Sequence, residues 1–114
     1  MSACMARAEA ALTKPFPRVS IIALGHIGDG NIHYNMVQAA GGDGAAFEAG
    51  REAAARIVYD IVADFGGSIS AEHGIGVMKV AEALRYKPPA EIAAMRAIRD
   101  ALDPKRIMNP RVLF

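Results

Sequence analysis

Val19-Ser20-Ile21-Ile22-Ala23-Leu24-Gly25-His26-Ile27-Gly28-Asp29-Gly30-Asn31-Ile32-His33-Tyr34-Asn35-Met36-Val37 is the stretch on which the fold turns. Residues 19–24 are short, β-branched and bounded by Pro17 and Gly25, so they read as a buried strand. Residues 32–37 read as a second strand. Asp29-Gly30 lies between them, and Asp-Gly between two such runs signals a hairpin, because a type I′ turn needs positive φ at both central residues. As a two-residue turn it opposes Gly28 to Asn31, Ile27 to Ile32 and His26 to His33. The next pair on the histidine face is Leu24 with Asn35, by the two-residue period of a strand. Opposed side chains on one face have Cβ atoms about 4.5–5.5 Å apart. Two imidazoles at that separation can share a transition-metal ion, at about 2.0–2.1 Å per bond for zinc. The two histidines alone fit a polar patch on a hairpin equally well, and a wider loop would shift the register.

Outward from the hairpin, residues 5–12 favour helix by composition, and Pro15 and Pro17 stop it. Residues 41–44 form a loop in which Asp43 can cap the next helix. Residues 45–65 keep apolar positions at helical spacing, from Phe47 through Ile61 to Phe65, and Gly66-Gly67 ends them. Residues 68–71 read as a short strand, Glu72-His73-Gly74-Ile75-Gly76 as a tight turn, and residues 77–86 as a short helix. Pro88 and Pro89 open a last helix whose face is Ile92, Met95, Ile98 and Leu102, closed by Asp103-Pro104. The tail, residues 107–114, reads as extended. The order β-β-α-β-α-α predicts an α+β fold: a mostly antiparallel sheet with helices on one face.

The 114 residues suffice for one small domain, residues 1–114, which would bury roughly two thirds of its unfolded surface. Apolar residues make up 53% and charged residues 22%, a globular balance. The net charge of +1, with no basic block, argues against nucleic acid as a partner. Cys4 alone cannot form an internal disulfide, which fits a reducing compartment, and it reads as a frayed terminal side chain. The longest apolar run is far short of a membrane span, and no signal peptide is read.

Glu72-His73 adds to the metal reading. A carboxylate beside two histidines leaves coordination positions open, which suits an ion that binds substrate. Gly74 and Gly76 allow a sharp turn or close approach to a ligand there. His73 would lie beside the ion and could move a proton, since histidine titrates near neutrality. Adjacent strand residues point to opposite faces, so Glu72 and His73 share a site only if the turn redirects one of them. The glycines at 25, 28 and 30 have neither the spacing nor the strand–helix setting of a dinucleotide fingerprint.

Residues 25–33 and 68–76 together resemble the C-terminal domain of FAD-linked oxidases, the family of D-lactate dehydrogenases, the glycolate oxidase FAD subunit and D-2-hydroxyglutarate dehydrogenase. Leu102-Asp103-Pro104-Lys105-Arg106-Ile107-Met108-Asn109-Pro110 is similar to the family's C-terminus, though Arg111 stands where many relatives have glycine. The resemblance runs from about Val19 to Phe114. It implies part of a ferredoxin-like cap domain, with the FAD-binding domain absent. It implies a divalent metal, usually zinc, on His26, His33 and Glu72, with Asn35 contacting substrate and His73 as the base. Asn109 would lie where the chain returns towards the flavin, as a cofactor-binding residue.

The implied chemistry is oxidation of a 2-hydroxy acid to a 2-oxo acid, with FAD on a flavin-binding domain or subunit as hydride acceptor. On this reading the chain belongs to an oxidoreductase and is inactive alone. Two other readings stay open: a binding module without redox activity, and a metal-dependent hydrolase. A half-domain would leave an apolar sheet face or edge uncovered, so a homo-oligomer is expected. The expected location is cytoplasmic, peripheral to the inner membrane through an electron acceptor.

Overall fold

A computed structural model describes residues 1–112, and the expectations for Leu113 and Phe114 lie outside the described residues. The chain forms two compact units, Met1–Ile69 and Ser70–Phe114. The first runs α1 (Ser2–Thr13), β1 (Val19–His26), β2 (Asn31–Gln38), α2 (Gly44–Asp64).

Helix α1 begins earlier than composition suggests and holds Cys4 half-buried, so the cysteine is not frayed. Pro15 has no N–H, and the chain leaves the helix by way of Phe16, whose amide still donates to the Leu12 carbonyl at 2.9 Å. The core of this unit lies on its helices, at Ala8 and Leu12 of α1 and Ala54 and Ile61 of α2. The two helices touch, and Arg7 in the middle of α1 is tied to the end of α2 by an ion pair to Asp64 at 2.5 Å. Its guanidinium also sits 5.9 Å from the centre of the Phe65 ring. Gly50 lets α2 approach Phe16: a Cβ there would meet the ring at 2.7 Å.

Asp43 caps α2 as expected, accepting from the Ala45 and Ala46 amides at 2.9 and 3.2 Å. Gly66 takes the left-handed conformation, φ 68°, just past the other end. Its amide donates to the Ala63 carbonyl and that of Gly67 to Val62, the paired bonds of a Schellman motif.

The strands pair antiparallel, but not in the expected register. The connection is a single 3₁₀ turn over Ile27–Asp29 followed by left-handed Gly30, four residues rather than two. His26 therefore pairs with Asn31, and His33 with Leu24. A slip of one residue would send every side chain to the other face; this slip is two, so the faces survive and only the neighbours change. Gly25 is required at the crossing, because a Cβ there would lie 2.1 Å from the Asn31 carbonyl oxygen.

The second unit has α3 (Val80–Tyr86) and α4 (Pro89–Leu102). The strand expected at residues 68–71 does not form; these residues run as coil and bends. The Ser70 hydroxyl donates to the Gly74 carbonyl and closes the segment on itself, a local bond that competes with sheet pairing. Residues 76–79 are a turn, so α3 starts three residues later than expected. Pro89 opens α4 as its first helical residue. Of the apolar face expected on α4, Ile92 is buried and Met95 half-buried, while Ile98 and Leu102 are exposed.

The tail is not extended. Buried Asp103 accepts from the Ile107 amide at 3.0 Å and the Met108 amide at 2.9 Å, one on each carboxylate oxygen. Arg99 donates to the carbonyls of Met108, Asn109 and Val112. Arg106 and Asn109 take positive φ, 50° and 43°, to follow this path. The whole is an α+β chain with an antiparallel two-stranded sheet. No described helix is long and apolar enough to cross a membrane.

Candidate functional site

The hairpin has two unlike faces. Val19, Ile21 and Ala23 of β1 are half-buried, with Ile32, Tyr34 and Met36 of β2 on the same side by register. Helix α1 lies near this side. Burial pushes the Tyr34 phenol up from its ordinary value, and the Glu9 carboxylate and Cys4 of α1 add to the shift. A cavity of about 320 Å³ lies between the end of α1 and the start of β1, bordered by Glu9, Leu12, Phe16 and Ile21.

The other face carries Ser20, Ile22, Leu24 and His26 opposite Val37, Asn35, His33 and Asn31 respectively. His26 and Asn35 are exposed and His33 is half-buried. The Asn35 amide donates to the Ile22 carbonyl across the strands at 3.4 Å. His26, His33 and Asn35 thus share one face, as the sequence predicts, but His26 and His33 are diagonal rather than opposed. Diagonal neighbours lie about 7–8 Å apart, within reach of long side chains. Two imidazoles on one open face are of the chemical type that divalent ions with exchangeable positions take as ligands. Leu24 lies beside both, paired with His33 and two residues from His26 on its own strand.

In the second unit, Glu72 and His73 are exposed and lie in a bend, followed by Gly74 and Gly76 with φ 69° and 56°. The tight turn expected over residues 72–76 is instead a bend at residues 71–73 and coil at Gly74 and Ile75, with the turn beginning at Gly76. Because no strand forms here, the strand alternation that would send their side chains to opposite faces does not operate. Asn109 is exposed at a left-handed position, and its carbonyl accepts from Arg99 at 3.2 Å.

Arg99 and Asp103 are the residues that pattern reading missed. Asp103-Pro104 reads as a helix stop, and nothing in the spacing says that the carboxylate turns inward to hold the next turn.

Comparison with known proteins bears on this arrangement. Residues 1–113 match the family described as FAD linked oxidases, C-terminal domain. The chain is 38% identical over 114 residues to a D-2-hydroxyglutarate dehydrogenase of Xanthomonas citri pv. viticola, covering 100% of this chain and 24% of that protein. It is 41% identical over 94 residues to the mitochondrial D-2-hydroxyglutarate dehydrogenase of Arabidopsis thaliana, covering 80% of this chain and 15% of the relative. A D-lactate dehydrogenase of Archaeoglobus fulgidus is 36% identical over 92 residues, 81% of this chain and 19% of its own length. The chain thus spans about a quarter or less of these relatives. With the match extending over nearly all of its length, the chain belongs to the C-terminal domain family of FAD-linked oxidases.

Proposed function

We propose that this chain is the substrate- and metal-binding portion of an FAD-dependent dehydrogenase that oxidises a D-2-hydroxy acid to the 2-oxo acid. The observation that carries the proposal is the shared open face of His26, His33 and Asn35, in a family whose relatives above are named for 2-hydroxy acids. When bound, a divalent metal such as zinc supplies a Lewis acid for the hydroxyl oxygen, and FAD on a flavin-binding domain or subunit supplies the two-electron acceptor. His26 and His33 each offer a ring nitrogen to the ion, and Glu72 is the carboxylate ligand the family resemblance assigns. Asn35 hydrogen-bonds the substrate. His73 takes the hydroxyl proton as general base. Asn109 is the residue of the tail that meets the flavin.

The test is the metal content of the purified chain beside that of a His26→Ala, His33→Ala double variant. One metal per chain, lost in the variant, is expected. Equal metal in both would overturn the ligand assignment.

The exposure of His26, Leu24 and Asn35 favours a second reading for the chain by itself. An open face can bind, but it does not exclude water as a closed redox site does. On that reading the chain is a metal- or ligand-binding module without redox activity of its own. Adding FAD, a D-2-hydroxy acid and an electron-accepting dye separates the two: dye reduction by this chain alone would refute the module reading.

A further inference from the structure

The chain contains two Asp-Gly dipeptides, Asp29-Gly30 and Asp43-Gly44, and both are exposed. An aspartate followed by glycine can close on itself. The glycine amide nitrogen attacks the side-chain carboxyl carbon of the aspartate. An N–C bond forms, a C–O bond breaks, and the amide proton leaves with the carboxyl hydroxyl as water. The resulting five-membered imide then takes up water again. Where that water attacks the main-chain carbonyl carbon, its bond to the glycine nitrogen breaks, and the chain continues through the side chain as isoaspartate. One water leaves and one returns, so neither oxidant nor reductant is needed. Glycine favours the step because no Cβ crowds its nitrogen. The fold must supply a free carboxyl group and a peptide plane able to swing towards it.

The two sites differ in both respects. The Asp43 side chain is engaged, accepting from the Ala45 and Ala46 amides at 2.9 and 3.2 Å. The Asp43 carbonyl accepts from the Phe47 amide at 3.0 Å, and Gly44 is the first residue of α2. Turning the 43–44 peptide therefore dismantles the cap and the first helical turn. The Asp29 carboxylate has no hydrogen-bond or ion-pair partner among the described residues. Gly30 lies in open space at φ 68°. Its amide donates to the Ile27 carbonyl at 3.2 Å, at the long end for such a bond. Both residues lie at the tip of the hairpin, outside the paired residues, where local opening is least costly.

We infer that Asp29-Gly30 is a modification site of this chain, at which isoaspartate forms by way of the imide, and that the α2 cap protects Asp43-Gly44 from the same reaction. The product has one extra main-chain carbon in the connection, next to the His26–Asn31 pair that ends the ladder. Its free carboxylate sits directly on Cα. Breaking a cap of this kind is unfavourable by about fivefold, so Asp29 should react at least about fivefold faster than Asp43 in the folded chain.

The experiment incubates the intact chain for weeks at neutral pH and body temperature, once folded and once in guanidinium chloride. Each sample is then digested and both dipeptides are read by mass spectrometry. The imide is lighter by one water, and electron-induced fragmentation separates isoaspartate from aspartate of equal mass. The folded chain should accumulate product at Asp29 and little at Asp43. In guanidinium chloride the two sites should react at similar rates, since each is an aspartate followed by glycine. Asp29→Glu, which would have to close a larger ring, should abolish the product at that site and leave the rate at Asp43 unchanged. Far-ultraviolet circular dichroism checks that this variant keeps its fold. Equal rates in the folded chain, a faster Asp43, or no product at Asp29 would overturn the inference. A ratio in guanidinium chloride as large as in the folded chain would overturn it too, by tracing the difference to neighbouring sequence rather than to the cap.

Discussion

The hairpin and the C-terminal loop both carry candidate site residues, and they are held by different means. In the hairpin, backbone pairs with backbone, and His26, His33 and Asn35 take their places from the register. In the loop from Asp103 to Val112, backbone is tied to side chains: Asp103 collects two amides and Arg99 three carbonyls. A ladder spreads its bonds over many residues, so removal of any one side chain is tolerated unless it occupies the backbone's own space. The loop concentrates its bonds on two residues and should fail when either is lost.

The largest effect is therefore expected at Asp103. Asp103→Ala leaves the Ile107 and Met108 amides without their acceptor, at about 1–3 kcal/mol for each lost charge-assisted bond. Hydrogen exchange should show these two amides losing protection while the amides of β1 and β2 keep theirs. Equal loss in both regions would break the comparison. In the hairpin, the vulnerable position is the backbone crossing. Gly25→Ala puts a methyl 2.1 Å from the Asn31 carbonyl and should cost about 1–3 kcal/mol in urea unfolding. It should also weaken zinc binding, because the His26–Asn31 and Leu24–His33 pairs flank the distorted Gly25–Ile32 pair. Unchanged stability would mean that the strands part there without cost.

Asp43→Ala removes the side-chain cap of α2 and should cost about 1 kcal/mol, by thermal unfolding, without touching zinc affinity. The smallest effect concerns the covered face of the hairpin. The Tyr34 phenol is raised above its ordinary 10.0 in the folded chain, so the folded state holds that proton more tightly than the unfolded. The stability this provides is complete below the unfolded value and is lost as pH rises past it towards the folded value. Tyr34→Phe should remove this alkaline component of the stability profile. It should leave neutral-pH stability unchanged or slightly higher, because the buried hydroxyl has no hydrogen-bond partner among the described residues. A phenol that titrates at its ordinary value by ultraviolet absorbance would contradict the placement of α1 near this face.

Legibility in the sequence followed the same division. The helices were readable because apolar spacing, Asp43, Gly66-Gly67 and Pro89 are local signals with local causes. The hairpin was readable as an element, and its histidine face survived an error in loop length. Its register was not, because Asp29-Gly30 suits a two-residue turn and also the end of a four-residue one in which Gly30 alone is left-handed. Residues 68–71 have the composition of a strand, but a strand exists only with a partner, and Ser70 bonds locally instead. The turn of the tail was hidden because it depends on where two side chains point. A sequence names Asp103 and Arg99 without aiming them.

The hairpin also behaves like a parity code. Any re-pairing of β1 with β2 that shifts partners by an even number keeps His26, His33 and Asn35 looking the same way. Any odd shift sets His26 among Ile32, Tyr34 and Met36. Loop variants drawn at random should accordingly fall into two classes, one with His26 on the face of His33 and Asn35 and one with it on the opposite face, with no grades between them.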